Sequence, residues 1–101
     1  MSEITDHLLQ ALLAVAGRQA IREEELRKVI ARAGGAKQLR AYNLCDGTMR
    51  LTAIAKKVGI DQGNFSRTVS RWEEAGIVFK LGDGRDAKLQ HLYPISEKEA
   101  G

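Results

Sequence analysis

The chain is poor in cysteine, proline, histidine and aromatic residues, with one Cys, one Pro and two His among 101 residues. A lone Cys45 excludes an intramolecular disulfide and any multi-thiolate zinc site. It leaves three readings open, a small buried residue on a helix, a redox sensor or an intersubunit disulfide. No apolar run approaches the ~20 residues of a membrane span, and no charged-then-apolar segment opens the chain, so a cytoplasmic location is expected. His7 and His91 are far apart, and no Ser or Cys has an apparent base. No phosphate-cradling glycine loop precedes a helix either, so an enzyme is not expected, nor a cofactor or metal. A large excess of one charge is missing too. The formal net charge is only +3. Total charge therefore argues for no partner; a nucleic-acid partner would require basic residues gathered on one face.

What is present is the composition of a folded domain, 44% hydrophobic and 29% charged. A chain this short buries a modest core and often gains stability by pairing with a second copy. Ser2 can cap a first helix over residues 3–16, with Gly17 as its stop. Ile4, Leu8, Leu12 and Ala16 form one stripe, with Leu9 and Leu13 beside it. A helix apolar on more than one side must be covered on more than one side, by a partner subunit or by lying across its own core. A second helix is expected from Ala20 to Ala33, ended by Gly34-Gly35. Its Glu23, Glu24 and Glu25 at the start and Arg27, Lys28 and Arg32 near the end suit the helix dipole. Leu26, Val29, Ile30 and Ala33 form its buried stripe. A third helix is expected over Ala36 to Cys45, with Ala41, Leu44 and Cys45 inward and Asp46-Gly47 closing it. Thr48 to Arg50 suits a small edge strand.

Leu51 to Val78 carries the most information. Ile54, Ala55 and Val58 give a short helix its inner face. Gly59 fits a tight turn where positive φ is cheap only for glycine. Ile60 plugs the core beside that turn, and Asp61 caps a second helix running to Ala75. On it Phe65, Val69 and Trp72 fall at i, i+4 and i+7 and face inward, so Trp72 is scaffold and not a base-stacking platform. The outward set is Gln62, Asn64, Ser66, Arg67, Ser70 and Arg71. These types suit the major groove, where Arg can bond guanine bidentately and Gln or Asn can bond adenine. Gly63, a poor helix residue, signals either close approach of a phosphate or backbone, or nothing beyond a frayed helix start. Strand-formers follow at Ile77 to Leu81 and Leu89 to Ile95. Between them Gly82-Asp83-Gly84-Arg85-Asp86-Ala87-Lys88 reads as a hairpin tip. Arg85 and Lys88 there can enter the minor groove or hold phosphate, Asp86 can orient Arg85, and an ordinary solvated hairpin is the alternative. Residues 50–88 hold eight basic groups against five acidic ones, so the positive groups can cluster although the total is small.

From Ala41 to about Ile95 the chain resembles winged helix-turn-helix regulators of the MarR and ArsR type. The matching segments are AYNLCDGT, LTAIAKKVGI, DQGNFSRTVSRWEEAGIV and the glycine-bounded hairpin. The resemblance implies a mainly α fold with a small β-hairpin wing, in which N-terminal helices precede the winged helix-turn-helix domain. It implies a reading helix in the major groove, a wing tip on the flanking minor groove or backbone, and terminal helices that make a two-fold dimer. Residues 1–35 are then the dimerising arm, 36–96 the DNA-binding domain and 97–101 a frayed tail. The DNA-binding set carried over is Gln62, Asn64, Ser66, Arg67, Ser70, Arg71, Arg85 and Lys88. Arg50 joins it, standing where a capping Ser or Thr is usual. Metal-sensing members use paired thiolates, whereas Cys45 stands alone. MarR-like members are longer, so no substantial effector pocket is expected. The expected function is a sequence-specific regulator of transcription on double-stranded DNA, read as a repressor. The alternatives are a non-regulatory DNA binder (partition, phage or chromatin-associated) and a winged-helix protein-interaction module.

Overall fold

The computed structural model describes residues 3–32 and 35–96. These are mainly helical, with a small three-stranded antiparallel sheet. In chain order come α1 (Glu3–Ala20), α2 (Glu23–Ala31), α3 (Ala36–Asn43), β1 (Asp46–Arg50), α4 (Leu51–Val58) and α5 (Gln62–Glu74). Then follow β2 (Val78–Leu81), a 3-10 turn (Gly84–Asp86) and β3 (Lys88–His91). The sheet order is β1-β3-β2, so β1 is an edge strand as expected and β3 lies between the other two. The expected cap at Ser2, the helix end at Ala33-Gly34 and the tail at 97–101 lie outside the described residues.

The helix pair follows its sequence closely. Ile54, Ala55 and Val58 are buried, and Gly59 ends α4 in the left-handed region at φ 82°. Asp61 accepts the Asn64 N–H at 3.0 Å and so caps α5. Phe65, Val69 and Trp72 enter the core with Leu26 and Ile30 of α2 and Ala41 and Tyr42 of α3. The Trp72 ring meets Tyr42 edge-on with centroids 5.7 Å apart and Phe65 at 5.9 Å. Such pairs add to the burial of large apolar area.

Four boundaries differ from the expectation. The first helix does not stop at Gly17 but runs on to Ala20. Gly17 is buried, and a Cβ there would stand 3.1 Å from Leu92 Cβ and 3.2 Å from Tyr93 Cδ2. The glycine marks a close crossing, not an end. As a consequence α2 starts at Glu23, after an extended Arg22, instead of at Ala20. The third helix ends at Asn43. Cys45 is buried just past it, and Asp46-Gly47 belongs to β1. The last strand ends at His91, so the expected run to Ile95 is too long. Tyr93 and Ile95 are buried against helices instead. The Tyr42 hydroxyl donates to Tyr93 O at 2.8 Å, and the Tyr93 hydroxyl donates to Ile21 O at 2.7 Å. The Asn43 amide donates to Ile95 O at 2.7 Å while accepting its N–H at 2.9 Å.

Helix α1 touches the rest of the chain along one flank. Gln10 donates from Nε2 to Asp46 O at 3.0 Å and to Gln90 Oε1 at 3.1 Å, with Ala14 and Gly17 packed further along. Gly47 makes this joint possible. At φ +91° any other residue would be strained, and a Cβ would lie 2.6 Å from Gln90 Oε1 and 2.9 Å from Gln10 Nε2, so the two amides would have to move apart from it. The opposite face of α1 is bare: Ile4 is 72% exposed, Leu12 67%, Val15 62% and Leu8 59%.

Burial also shapes the titration of Cys45 and His91. The Cys45 thiol is pushed up to about 12 by burial and then by the nearby Asp46 charge, which holds it protonated and unreactive. His91 is buried and stacks on Tyr42 at 5.2 Å, its Nδ1 has no partner among the described residues, and its pKa is lowered from 6.5 by burial. The unfolded chain therefore takes up a proton near 6.5 that the folded chain resists. His91's contribution to stability is complete above that value and is lost as pH falls below it. Urea midpoints measured from neutral to mildly acidic pH are expected to drop below about 6.5, the ordinary histidine value. His91→Phe, which keeps the stack, should flatten that part of the profile.

Candidate nucleic-acid interface

The candidate residues gather around the exposed face of α5, in two groups. At 100° per residue the buried Phe65, Thr68, Val69 and Trp72 define one side of the helix. Gly63, Arg67, Ser70 and Glu74 project opposite, and the remaining polar residues fall on the two flanks.

On the first flank Gln62 and Ser66 face the hairpin. With Arg50, Thr52, Lys80 and Arg85 they line an open cleft of about 990 Å³. Arg50 sits here because β1 ends where α4 begins, and β1 pairs with β3 so that Arg50 stands opposite Lys88. Cross-strand partners share a face of the sheet, so Lys88 adds charge beside Arg50 although it does not line the cleft. The expected Asp86–Arg85 pairing is not formed. Arg50 Nη1 donates to Asp86 Oδ1 instead, at 3.3 Å, because the sheet register brings the hairpin tip to the end of β1. Both side chains are exposed enough for this pair to contribute little to stability. Arg50 provides no side-chain cap for α4. Lys80 is held by Glu73 at 3.8 Å, which turns that carboxylate towards β2 and away from the outer face.

On the second flank Asn64 and Arg71, with Arg67 reaching over from the outer face, meet α3 across a shallow groove of about 290 Å³, which Gln38, Ile60 and Thr68 complete. Arg67 donates to Asn64 Oδ1, and Arg71 Nη2 donates to Thr68 Oγ1 at 3.4 Å. Neither arginine, nor Arg85 or Lys88, has a carboxylate partner among the described residues. Ser70 is exposed between the flanks. At Gly63 an added Cβ would meet only the Asp61 carboxylate, at 3.3 Å. The glycine thus leaves room for the helix cap.

Thr52, Lys56 and Gln38 are additions to the expected set. Thr52 and Lys56 line a second opening with Arg50 and Gln62. They are readable once Ile54, Ala55 and Val58 are placed inside, since the outer side of α4 follows from the helical period. Gln38 had a signal as well. It precedes Ala41, Tyr42 and Cys45 at helical spacing, and it is buried with them.

Among the described residues no group of three or more His, Cys, Asp or Glu could hold a metal ion, and no helix is long and apolar enough to cross a membrane. No protein-family model, curated protein or solved structure matches the chain.

Proposed function

We propose that the chain is a winged helix-turn-helix regulator of the MarR or ArsR type that binds double-stranded DNA as a homodimer. In this reading α5 enters the major groove and the Gly82–Lys88 wing lies on the flanking backbone or minor groove. One observation carries the proposal: Arg50, Arg67, Arg71 and Arg85 bracket the exposed polar face of α5, and only Arg50 has a carboxylate partner among the described residues. Cations of which three have no carboxylate partner among the described residues, flanking a helix of Gln, Asn and Ser, suit a polyanion whose base edges carry hydrogen-bonding groups. Phosphate would compete with Asp86 for Arg50, since an exposed pair separates at little cost.

The bare side of α1 is assigned to a second copy of the chain. Glu3 stands in its first turn and Arg18 in its last, where the guanidinium lies 4.9 Å over the Tyr93 ring of the same chain. Antiparallel pairing places each acidic end against the partner's basic end, whereas parallel pairing opposes like charges. Two α5 helices joined in this way would meet successive major grooves on a roughly palindromic site.

Fluorescence anisotropy on a duplex selected from a random pool, and on a scrambled duplex, tests the reading. Arg67→Ala is expected to weaken the selected duplex about 10- to 100-fold, as loss of a bidentate base contact does, and to narrow the gap between the two duplexes. Arg85→Ala should weaken both duplexes alike and reduce the salt slope by about 0.9, one phosphate contact. Wild-type affinity in both variants would sink the proposal.

A further inference from the structure

We infer that the groove between α3 and α5 is a second phosphodiester site, in which Gln38 orients Arg71. The inference rests on the DNA reading and extends it to the flank of α5 away from the hairpin. Gln38 is only 8% exposed, yet its Oε1 has no hydrogen-bond partner among the described residues. A buried amide oxygen without a donor destabilises the fold, and native proteins keep few such groups. An aliphatic side chain at this position would avoid the penalty. The buried, unpartnered amide oxygen therefore points to a donor supplied when the groove is occupied.

That donor is on hand. Arg67 and Arg71 line the same groove, and Arg71 makes only a 3.4 Å bond to Thr68 Oγ1, at the limit of a hydrogen bond. A guanidinium has five N–H groups in a planar fork. With one edge donating to Gln38 Oε1, the other edge of Arg71 can present two parallel N–H groups to a phosphate, the bidentate geometry that arginine favours. Arg67, whose guanidinium is left to a base edge, adds positive potential beside the same anion. Among the described residues no carboxylate lines the groove. The ligand needs to bring only acceptor oxygens and negative charge, which describes a backbone phosphate and not a base edge. DNA would then be gripped on both sides of α5, by Arg50 and Arg85 towards one strand and by Arg71 towards the other.

Gln38→Met tests this, since it keeps the volume and removes the acceptor. Its thermal midpoint is expected to equal or exceed that of the wild-type chain, while affinity for the selected duplex falls about tenfold. Arg71→Ala should lower affinity and reduce the salt slope by about 0.9. Adding Gln38→Met to Arg71→Ala should cost nothing more, because the glutamine acts only through the arginine. Ethylation interference should mark phosphates on both strands, and those on one strand should lose their effect in Arg71→Ala. Unchanged affinity in Gln38→Met overturns the inference, as does a midpoint that falls together with affinity, the mark of a merely structural residue. Failure of Gln38→Met beside a salt-sensitive wild type and a weakened Arg85→Ala leaves the DNA reading standing. If the wild type binds neither duplex, both fall together.

Discussion

Replacing Trp72 with alanine is expected to lower the free energy of unfolding by about 3–5 kcal/mol, the range for removing a large aromatic from a packed interior. Trp72 is 1% exposed and joins α5 to α3, since its ring meets Tyr42 of α3 edge-on and Phe65 of its own helix. Neither neighbour can collapse into the space, because the Tyr42 hydroxyl is tied to Tyr93 O and Phe65 lies in the first turns of a capped helix. The cavity should therefore persist and the cost should lie at the upper end. Domains of this size shift by about 4–8 °C per kcal/mol, so the melting midpoint should fall by tens of degrees. The loss is a large fraction of a total stability of about 5–15 kcal/mol. Ser70→Ala, two residues away on the exposed side of α5, should change the midpoint little. Thermal scans of the two variants beside the wild type decide the matter. A Trp72→Ala midpoint within a few degrees of wild type would mean that the core is not built around this ring.

That contrast between Trp72 and Ser70 was legible in the sequence, because a helix repeats on a 3.6-residue period and Phe65, Val69 and Trp72 mark its inner side unambiguously. The turn at Gly59 and the cap at Asp61 were legible for the same kind of reason, since each depends on residues within one turn of helix. What could not be read depends on contacts between distant segments. Gly17 looks like a helix stop unless Leu92 and Tyr93 are known to press against it. Leu89 to Ile95 is rich in strand formers, and Leu89, His91, Tyr93 and Ile95 are all buried. Among the described residues no neighbouring strand continues beyond His91, however, so the second half is held by α3 through Tyr42 and Asn43. In the candidate interface, the residues of α5 were found from period alone. The partner of Asp86 was not, because it depends on the register that sets Arg50 against Lys88 across the sheet.

Introducing glutamate at both Leu8 and Leu12 is expected to leave the fold of the single chain intact and to abolish the proposed pairing. Both side chains are exposed, 59% and 67%, and the flank of α1 that holds the arm to the sheet is a different one, formed by Gln10, Ala14 and Gly17. Four carboxylates brought together in an apolar seam would cost far more than that seam gains from burial. The mass in solution should therefore fall to that of one chain, and the melting midpoint should lose any dependence on protein concentration. DNA affinity should fall with it. Two linked half-sites gain about 10²–10⁴-fold over one from effective concentration alone, and that factor is what separation removes. The direction of pairing can be tested in the same assay. Glu3→Lys should weaken an antiparallel pair by setting a new cation near Arg18 of the other copy, and Arg18→Glu added to it should restore the pair. In a parallel pair Glu3 and Arg18 lie at opposite ends and no such rescue can occur. A wild-type chain that stays single at every concentration while binding DNA would leave the exposed apolar side of α1 to some other partner.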